Sequence, residues 1–246
     1  MHPLCLLIAA LPFQPALAGE VADEVLALAP LRAHRMAVDP PSIPVAAYDR
    51  AAEGKRVAGV QFVEGVAAGQ GWGVAVYDLP IEAVWWAVNS EDVHEDWLRV
   101  EVSQVVDGEA YRDGRAVFQY LPLPVVKDRW WVVRVQNNED IRRASGGRMF
   151  EKVMEDATDP ALIAGTPLAQ RVERGRAVAW TRGSWLLIGL ADGRTVAEYF
   201  VWSDPGGMIP ARPASRFARG AIRDTLDAMG SLARSYPDAT VVSTAE

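Results

Sequence analysis

The fold is decided by the last long segment of the chain, Pro213–Ala233, which reads PASRFARGAIRDTLDAMGSLA. Its apolar residues recur every three or four positions, which predicts an amphipathic helix of about five turns. The apolar stripe and its flank consist of Phe217, Ala221, Ile222, Thr225, Leu226, Ala228 and Met229. A long helix with one apolar face is suited to covering a concave β-sheet.

Nine segments ahead of this helix have the features of strands, with apolar alternation or apolar runs between turn residues. They span residues 56–63, 71–78, 98–106, 116–121, 129–136, 149–156, 174–181, 185–190 and 195–202. Short helices are expected over 80–88 and 90–97, and a helix over 20–31 with an extended connection over 37–48 precedes the first strand. Many hairpins and one long final helix predict an α+β grip, in which a curved antiparallel sheet wraps around that helix.

The glycines at 69, 71 and 73 superficially resemble a nucleotide-binding loop. They precede a strand and not a helix, so the helix N-terminus that phosphate binding needs is missing. We interpret them as the turn between the first two strands.

The amino-acid composition argues against two classes of function, nucleic-acid binding and metal chemistry. The chain has 246 residues and a net charge of −7. This charge repels phosphate backbones, and no cluster of Lys and Arg offsets it, which argues against nucleic-acid binding. Nine Trp with one Cys and three His favour a large apolar interior over a metal centre. We expect no metal and no cofactor.

The first residues predict a signal peptide. An apolar run from Leu4 to Leu11 is followed by Ala16-Leu17-Ala18, so cleavage is expected after Ala18. The segment has no Lys or Arg ahead of its apolar run, and a cytosolic protein with an apolar N-terminus is the alternative. The expected organisation is a signal peptide 1–18, an N-terminal helix and connection 19–54, one domain 55–234 and a tail 235–246. The product would be a periplasmic monomer without any Cys.

Three motifs resemble the START domains, a lipid-binding branch of the helix-grip (SRPBCC) superfamily. The first is Leu121–Arg134, LPLPVVKDRWWVVR, with Pro124-Val125 at a turn, Asp128-Arg129 as an acid–Arg pair and Trp130-Trp131 at the start of a strand. The second is Thr195 and Tyr199 in a strand, followed by the turn Asp204-Pro205-Gly206-Gly207-Met208-Ile209-Pro210 before the last helix. The third is Trp97 at a helix–strand junction.

The resemblance covers residues from about 55 to 233 and implies a hydrophobic cavity between the sheet and the C-terminal helix. Many START domains bind or transfer a sterol, a phospholipid or another lipid, and few are enzymes. We therefore expect lipid binding and lipid transport without covalent chemistry, with transient membrane contact. A curved sheet with one long helix cannot easily fill its own concavity, which agrees with this expectation.

The predicted ligand-binding residues combine large aromatic side chains, polar residues that interrupt apolar strands, and the stripe of the last helix. They are Trp85, Trp97, Trp131, Arg134, Trp185, Glu198, Tyr199, Met208, Phe217, Ala221 and Thr225. The loop 158–168 is the predicted lid, through Leu162, Ile163 and Leu168. Asp128 and Arg129 are interpreted as a structural ion pair.

Two other classes of function stay open. Other helix-grip proteins are cyclases or hydrolases, and His94 with Glu198 would be the residues to test for catalysis. His94 is more simply a surface residue, since a single His among helical acids does not make a two-His metal site. A structural or protein-binding envelope module would instead need a filled interior and an exposed apolar patch.

Overall fold

The computed structural model describes residues 18–124, 126–206 and 211–236; the side chains of residues 18 and 211–217 lie outside that description. The helices are α1 Ala18–Ala27, α2 Val45–Ala52, α3 Ile81–Asn89, α4 Glu139–Ala144, α5 Ala169–Arg174 and α6 Ala211–Arg234. Short 3-10 segments occupy Ala29–His34, Glu91–Asp96 and Pro160–Leu162. The strands are β1 Val57–Gln61, β2 Gln70–Tyr77, β3 Val102–Asp107, β4 Ala116–Leu121, β5 Arg129–Asn137, β6 Met149–Asp156, β7 Arg176–Ala177, β8 Trp180–Gly189 and β9 Thr195–Asp204.

The described strands form one sheet in the order β1-β2-β9-β8-β6-β5-β4-β3. Every neighbouring pair in that order is antiparallel, while the two-residue β7 pairs with β5 in parallel. The predicted α+β grip is confirmed: the sheet curves around the long C-terminal helix α6, which packs against β2 and β1.

The predicted boundaries around β8 were wrong. The predicted strands 174–181 and 185–190 leave a break at residues 182–184, yet these residues lie inside β8, which pairs with β9 over ten positions. A Cβ at Gly183 would lie 2.5 Å from the carbonyl oxygen of Phe200. The glycine therefore allows a close approach of two strands and does not bend the chain.

Glycines also let α6 approach the concave face. A Cβ at Gly73 would meet Ile222 Cγ2 at 2.5 Å and Leu226 Cδ1 at 2.9 Å, and one at Gly71 would meet Ile222 Cδ1 at 2.6 Å. The hydroxyl of Tyr77 donates to the carbonyl of Leu226 over 2.6 Å. The glycine-rich segment thus serves helix–sheet packing as well as the turn that we predicted.

The N-terminal segment covers the outer face of the sheet, where Val21 and Val25 of α1 and Tyr48 of α2 join a core cluster that includes Val74 and Ile188. Two arginines that follow α1 reach buried carboxylates on this face. Arg32 pairs with Glu198 on β9, and Arg35 Nε donates to Glu151 on β6 over 2.7 Å.

The extended connection predicted for 37–48 was wrong from Val45 onwards, since helix α2 begins there. Pro44 is the N-cap of this helix. Its backbone is extended, with φ −62°, as is typical of a residue at that position. Ala47, Tyr48 and Ala51 are buried by it.

The remaining outer face is covered by the loop 158–168 and α5. Ile163 and Leu168 are buried there against Phe118 and Trp130, which β4 and β5 project away from α6. Among the described residues, no helix is both long enough and apolar enough to cross a bilayer.

Candidate functional site

A cavity of about 790 Å³ lies between the concave face of the sheet and α6. Because side chains alternate along a strand, each strand contributes every second residue to its wall. The strand side of the wall includes Val117, Trp131, Val133, Met154, Trp185 and Tyr199. The helix side includes Ala221, Ile222, Thr225 and Met229. The wall is therefore mainly aliphatic and aromatic, as expected of a site for an apolar molecule.

Six of the predicted ligand-binding residues lie on this wall: Trp97, Trp131, Trp185, Tyr199, Ala221 and Thr225. The rings of Trp185 and Tyr199 stack with centroids 4.4 Å apart. The indole of Trp131 donates to Gln119 Oε1 over 3.0 Å, which fixes its orientation. Burial raises the pKa of Tyr199 to about 12. Its phenol is therefore a neutral donor at physiological pH.

Three predicted residues do not reach the cavity. Glu198 points to the outer face, because its neighbour Tyr199 already faces inward and alternation places the two on opposite sides. Arg134 is likewise on the outer face and pairs with Asp107 over 2.7 Å. Trp85 lies on α3 and packs edge-on against Phe150, with centroids 5.4 Å apart.

Two further predictions lie outside the described residues. Met208 falls in the undescribed segment 207–210, and Phe217 lies in α6 with its side chain undescribed.

The predicted lid is also misplaced. Ile163 and Leu168 are buried in the outer cluster with Phe118 and Trp130, and Leu162 packs against the same cluster. The face of β5 that carries Trp130 and Val132 is apolar and needs a cover, and the loop supplies it.

The inner end of the cavity is charged, and none of its charged residues was among the predicted ligand-binding residues. Glu91, His94 and Lys152 lie on the wall, and Arg115 is buried behind them. Lys152 Nζ donates to Glu91 Oε1 over 2.5 Å, and Arg115 Nη2 donates to the same oxygen over 2.6 Å. Arg115 Nε donates to Glu91 Oε2 over 3.1 Å. One carboxylate therefore faces two cations.

The pKa shifts in this cluster follow from burial and from these contacts. Burial lowers the pKa of His94 to about 4, with a further contribution from Lys152. Burial also lowers the pKa of Lys152. Burial alone would raise the pKa of Glu91, but Lys152 and Arg115 more than offset that effect and lower it. His94 is thus buried and neutral, and the surface position predicted for it was wrong.

A signal for this cluster was present in the sequence. Lys152 alternates with Phe150 and Met154 along β6, so one lysine interrupts an apolar face. Its partner Glu91 could not be paired with it from sequence, because the two are 61 positions apart and meet only through packing of the Glu91–Asp96 segment against the sheet.

The opposite end of the cavity opens to solvent. Phe62, Trp97 and Val126 line it and remain 58%, 40% and 47% exposed. Arg99 and Asp224 also line it and form an ion pair that joins the segment before β3 to α6.

The acid–Arg pair of the first motif is not an ion pair. Asp128 accepts from the Tyr120 hydroxyl over 2.6 Å, whereas Arg129 Nε donates to the carbonyl of Pro205 over 2.5 Å. Arg129 Nη2 also donates to the carbonyl of Gly206 over 3.0 Å. Both residues still have structural contacts, and Arg129 ties β5 to the segment that leads into α6.

Comparison with known proteins establishes the fold. No protein-family model matches the chain, and no curated protein matches it. Several solved structures match the chain. A STAR-related lipid transfer protein from Xanthomonas axonopodis is 21% identical, with a TM-score of 0.57 over 71% of this chain and 91% of that one. Human STARD10 is 13% identical, with a TM-score of 0.58 over 73% and 69%. Human StAR-related lipid transfer protein 5 is 11% identical, with a TM-score of 0.58 over 88% and 96%.

The fold is that of the START domains.

In this START fold, the cavity has one end that opens to solvent, with exposed apolar side chains beside the Arg99–Asp224 ion pair, and one buried charged end. No group of three or more His, Cys, Asp or Glu suited to a metal occurs within the described ranges. The arrangement can hold a molecule whose apolar body contacts Trp131, Trp185 and α6 while a polar group reaches Lys152 and His94. Such a molecule is an amphiphile.

Proposed function

We propose that this protein binds a lipid or another apolar molecule in the cavity and carries it without covalent chemistry. The observation that supports this function is the cavity itself, whose volume of about 790 Å³ lies within the usual range for small-molecule sites. Burial of about 400 Å² of ligand surface at ~25 cal/mol/Å² would contribute roughly 10 kcal/mol before the costs of association. The START-fold neighbours named as lipid transfer proteins support the same proposal.

The ligand would pass through the exposed end of the cavity. The predicted route, opening of the loop 158–168, has no support in the structure, because that loop covers the outer face. We propose instead that α6 separates from the segment before β3, which requires the Arg99–Asp224 ion pair to break. Since both side chains are about half exposed, this pair costs little to open.

The exposed Phe62, Trp97 and Val126 would contact a membrane during exchange.

The experiment is native mass spectrometry of the protein purified from its own cells, followed by extraction and identification of the bound molecule. A stoichiometric lipid or other apolar molecule is the expected result. A protein that is recovered empty, and that then binds no member of a lipid panel, would refute the proposal. Incubation of the loaded protein tests the non-catalytic part, since the mass of the ligand should not change with time.

The catalytic alternative cannot use the pair that we predicted. His94 lines the cavity, whereas Glu198 lies on the other side of the sheet. Glu91 and His94 both line the cavity and are the acid and base to test in its place, and a ligand mass that changes during the incubation would favour this alternative.

Export to the periplasm is a separate proposal, which rests on the apolar run and the cleavage motif that ends at Ala18. N-terminal sequencing of protein from the envelope fraction should give Gly19 as the first residue. An intact Met1 in cytosolic protein would refute it.

A further inference from the structure

The charges at the inner end of the cavity do not balance. Glu91 is the only carboxylate among the described residues that contacts Lys152 or Arg115. Asp92, the next residue in the chain, is exposed, so water screens its charge. His94 is neutral at physiological pH. Burial lowers the pKa of Lys152, and the Glu91 carboxylate opposes that shift. With Lys152 and Arg115 protonated and Glu91 ionised, the cluster carries one net positive charge at the buried end of an apolar cavity.

Such a charge is costly to bury without a partner. Arg115 uses four of its five N–H donors on both oxygens of Glu91, on Asn89 Oδ1 and on the carbonyl of Arg112, and it does not line the cavity. Lys152 is not saturated. Its ammonium has three N–H donors, of which one goes to Glu91 and one to the carbonyl of Val88. The third has no acceptor in the described part of the chain, and Lys152 lies on the cavity wall.

His94 adds an acceptor beside this donor. Its Nε2 lies 2.9 Å from the carbonyl of Ala87, and a carbonyl can only accept, so Nε2 carries the proton. Nδ1 is then a bare acceptor, and none of the described residues donates to it. An ionised carboxylate carries no proton and cannot donate to Nδ1, so the free N–H of Lys152 is the group at the inner end that such a ligand can use.

We propose that this inner end binds the carboxylate of a long-chain acid, whose alkyl chain occupies the apolar part of the cavity. A single negative charge balances the cluster, and a carboxylate oxygen accepts the free N–H of Lys152. A neutral alcohol or ester of the same chain length would leave the net charge in place. This inference rests on the proposed function and names the class of ligand.

The test compares three ligands that differ only in the head group: hexadecanoate, hexadecanol and methyl hexadecanoate. Affinity for the delipidated full-length protein is measured at pH 7.5 by titration calorimetry, or by the change in tryptophan fluorescence, to which Trp131 and Trp185 on the cavity wall contribute. A charge-assisted hydrogen bond predicts that the acid binds about ten- to hundredfold more tightly than the alcohol and the ester.

Lys152→Met should remove this preference. The substitution leaves Glu91 and Arg115 as a balanced pair, so the alcohol should bind as it does to the unchanged protein. Lys152→Gln, which keeps a donor without the charge, should behave in the same way. Lys127→Met is the matched control, since Lys127 is exposed and does not line the cavity; it should retain the full preference.

The outcomes separate the two proposals. Equal binding of acid and alcohol, or a preference that survives both Lys152 substitutions, would overturn the carboxylate site while leaving apolar ligand binding in place. Tighter binding of phosphatidylglycerol, a phosphodiester lipid, than of the acid would also overturn it. If none of the four ligands binds, the proposed function itself fails.

Discussion

Glu198 holds the N-terminal segment on the sheet. Its carboxylate accepts from Arg32 Nη1 and from the Tyr48 hydroxyl, each over 2.8 Å, and its side chain is almost fully buried. Burial, followed by the charge of Glu198, raises the pKa of Tyr48, so the phenol remains protonated and donates. At the residue scale, Glu198 therefore contributes to stability, and we assign it no role in the cavity.

Glu198→Ala should lower the free energy of unfolding by about 2–4 kcal/mol, because it leaves Arg32 and Tyr48 without their acceptor. The lower half of this range is expected, since Arg32 is a quarter exposed. Denaturant titration measures the change. Arg134→Ala, which breaks a largely solvated pair, should cost under about 1 kcal/mol. Equal effects of the two substitutions would contradict this account.

His94 makes stability depend on pH. Its pKa is about 4 in the folded protein against about 6.5 in an unfolded chain, because burial disfavours the charged ring. Between these values the unfolded state binds the extra proton, so stability should fall as pH falls from about 6.5 to 4, by up to roughly 3 kcal/mol. The free energy of unfolding measured at several pH values should show this loss.

His94→Gln should flatten the pH dependence in that window, because an amide can donate to the Ala87 carbonyl but does not titrate. The exposed His34 provides the control, and His34→Gln should keep the slope of the unchanged protein. A His94→Gln protein with an unaltered slope would show that other groups cause the pH dependence.

At the scale of elements, the contact between α6 and β2 depends on small residues. Gly73→Ala should destabilise the protein by about 1–3 kcal/mol, since the new methyl would overlap Ile222 and Leu226. Gly220→Ala is the matched control in α6: a Cβ there meets nothing within 4 Å, and alanine favours the helix by about 0.5–1 kcal/mol. Thermal unfolding distinguishes the two, and a stabilising Gly73→Ala would show that the helix can shift without cost.

At the scale of the whole molecule, the features that could be predicted from sequence are those set by the local pattern of apolar residues. Strands β4 and β6 begin and end where the alternation of apolar residues predicted, and the stripe at Ala221 and Thr225 faces the cavity. Glu198 and Tyr199 were both predicted to bind the ligand, yet adjacent residues of a strand cannot share a face. The alternation of side chains alone therefore shows that one of the two cannot line the cavity. The Lys152–Glu91 contact and the outer position of the loop 158–168 could not be predicted, because each depends on how separate elements pack.

Helices α1 and α2 pack on the domain that was predicted to begin at residue 55. Residues 19–54 were expected to precede the domain, yet α1 and α2 bury Val74, Leu186, Ile188 and Val196 on the outer face. Each of these side chains, if uncovered, would lose roughly 1.5–3 kcal/mol of burial. Glu151 and Glu198 would also lose the arginines that compensate their charge. The N-terminal segment is therefore one layer of the fold.

A chain truncated to residues 55–246 should consequently lose cooperative unfolding, and its near-ultraviolet circular dichroism should collapse. The loss of outer-face burial alone is comparable to the 5–15 kcal/mol by which such domains are usually stable, and the loss of the two ion pairs adds to it. A chain of residues 19–246 controls for the loss of the first 18 residues and should unfold cooperatively. If the shorter chain unfolds at the same denaturant concentration as the longer one, α1 and α2 are accessory, and the fold is held by the sheet and α6 alone.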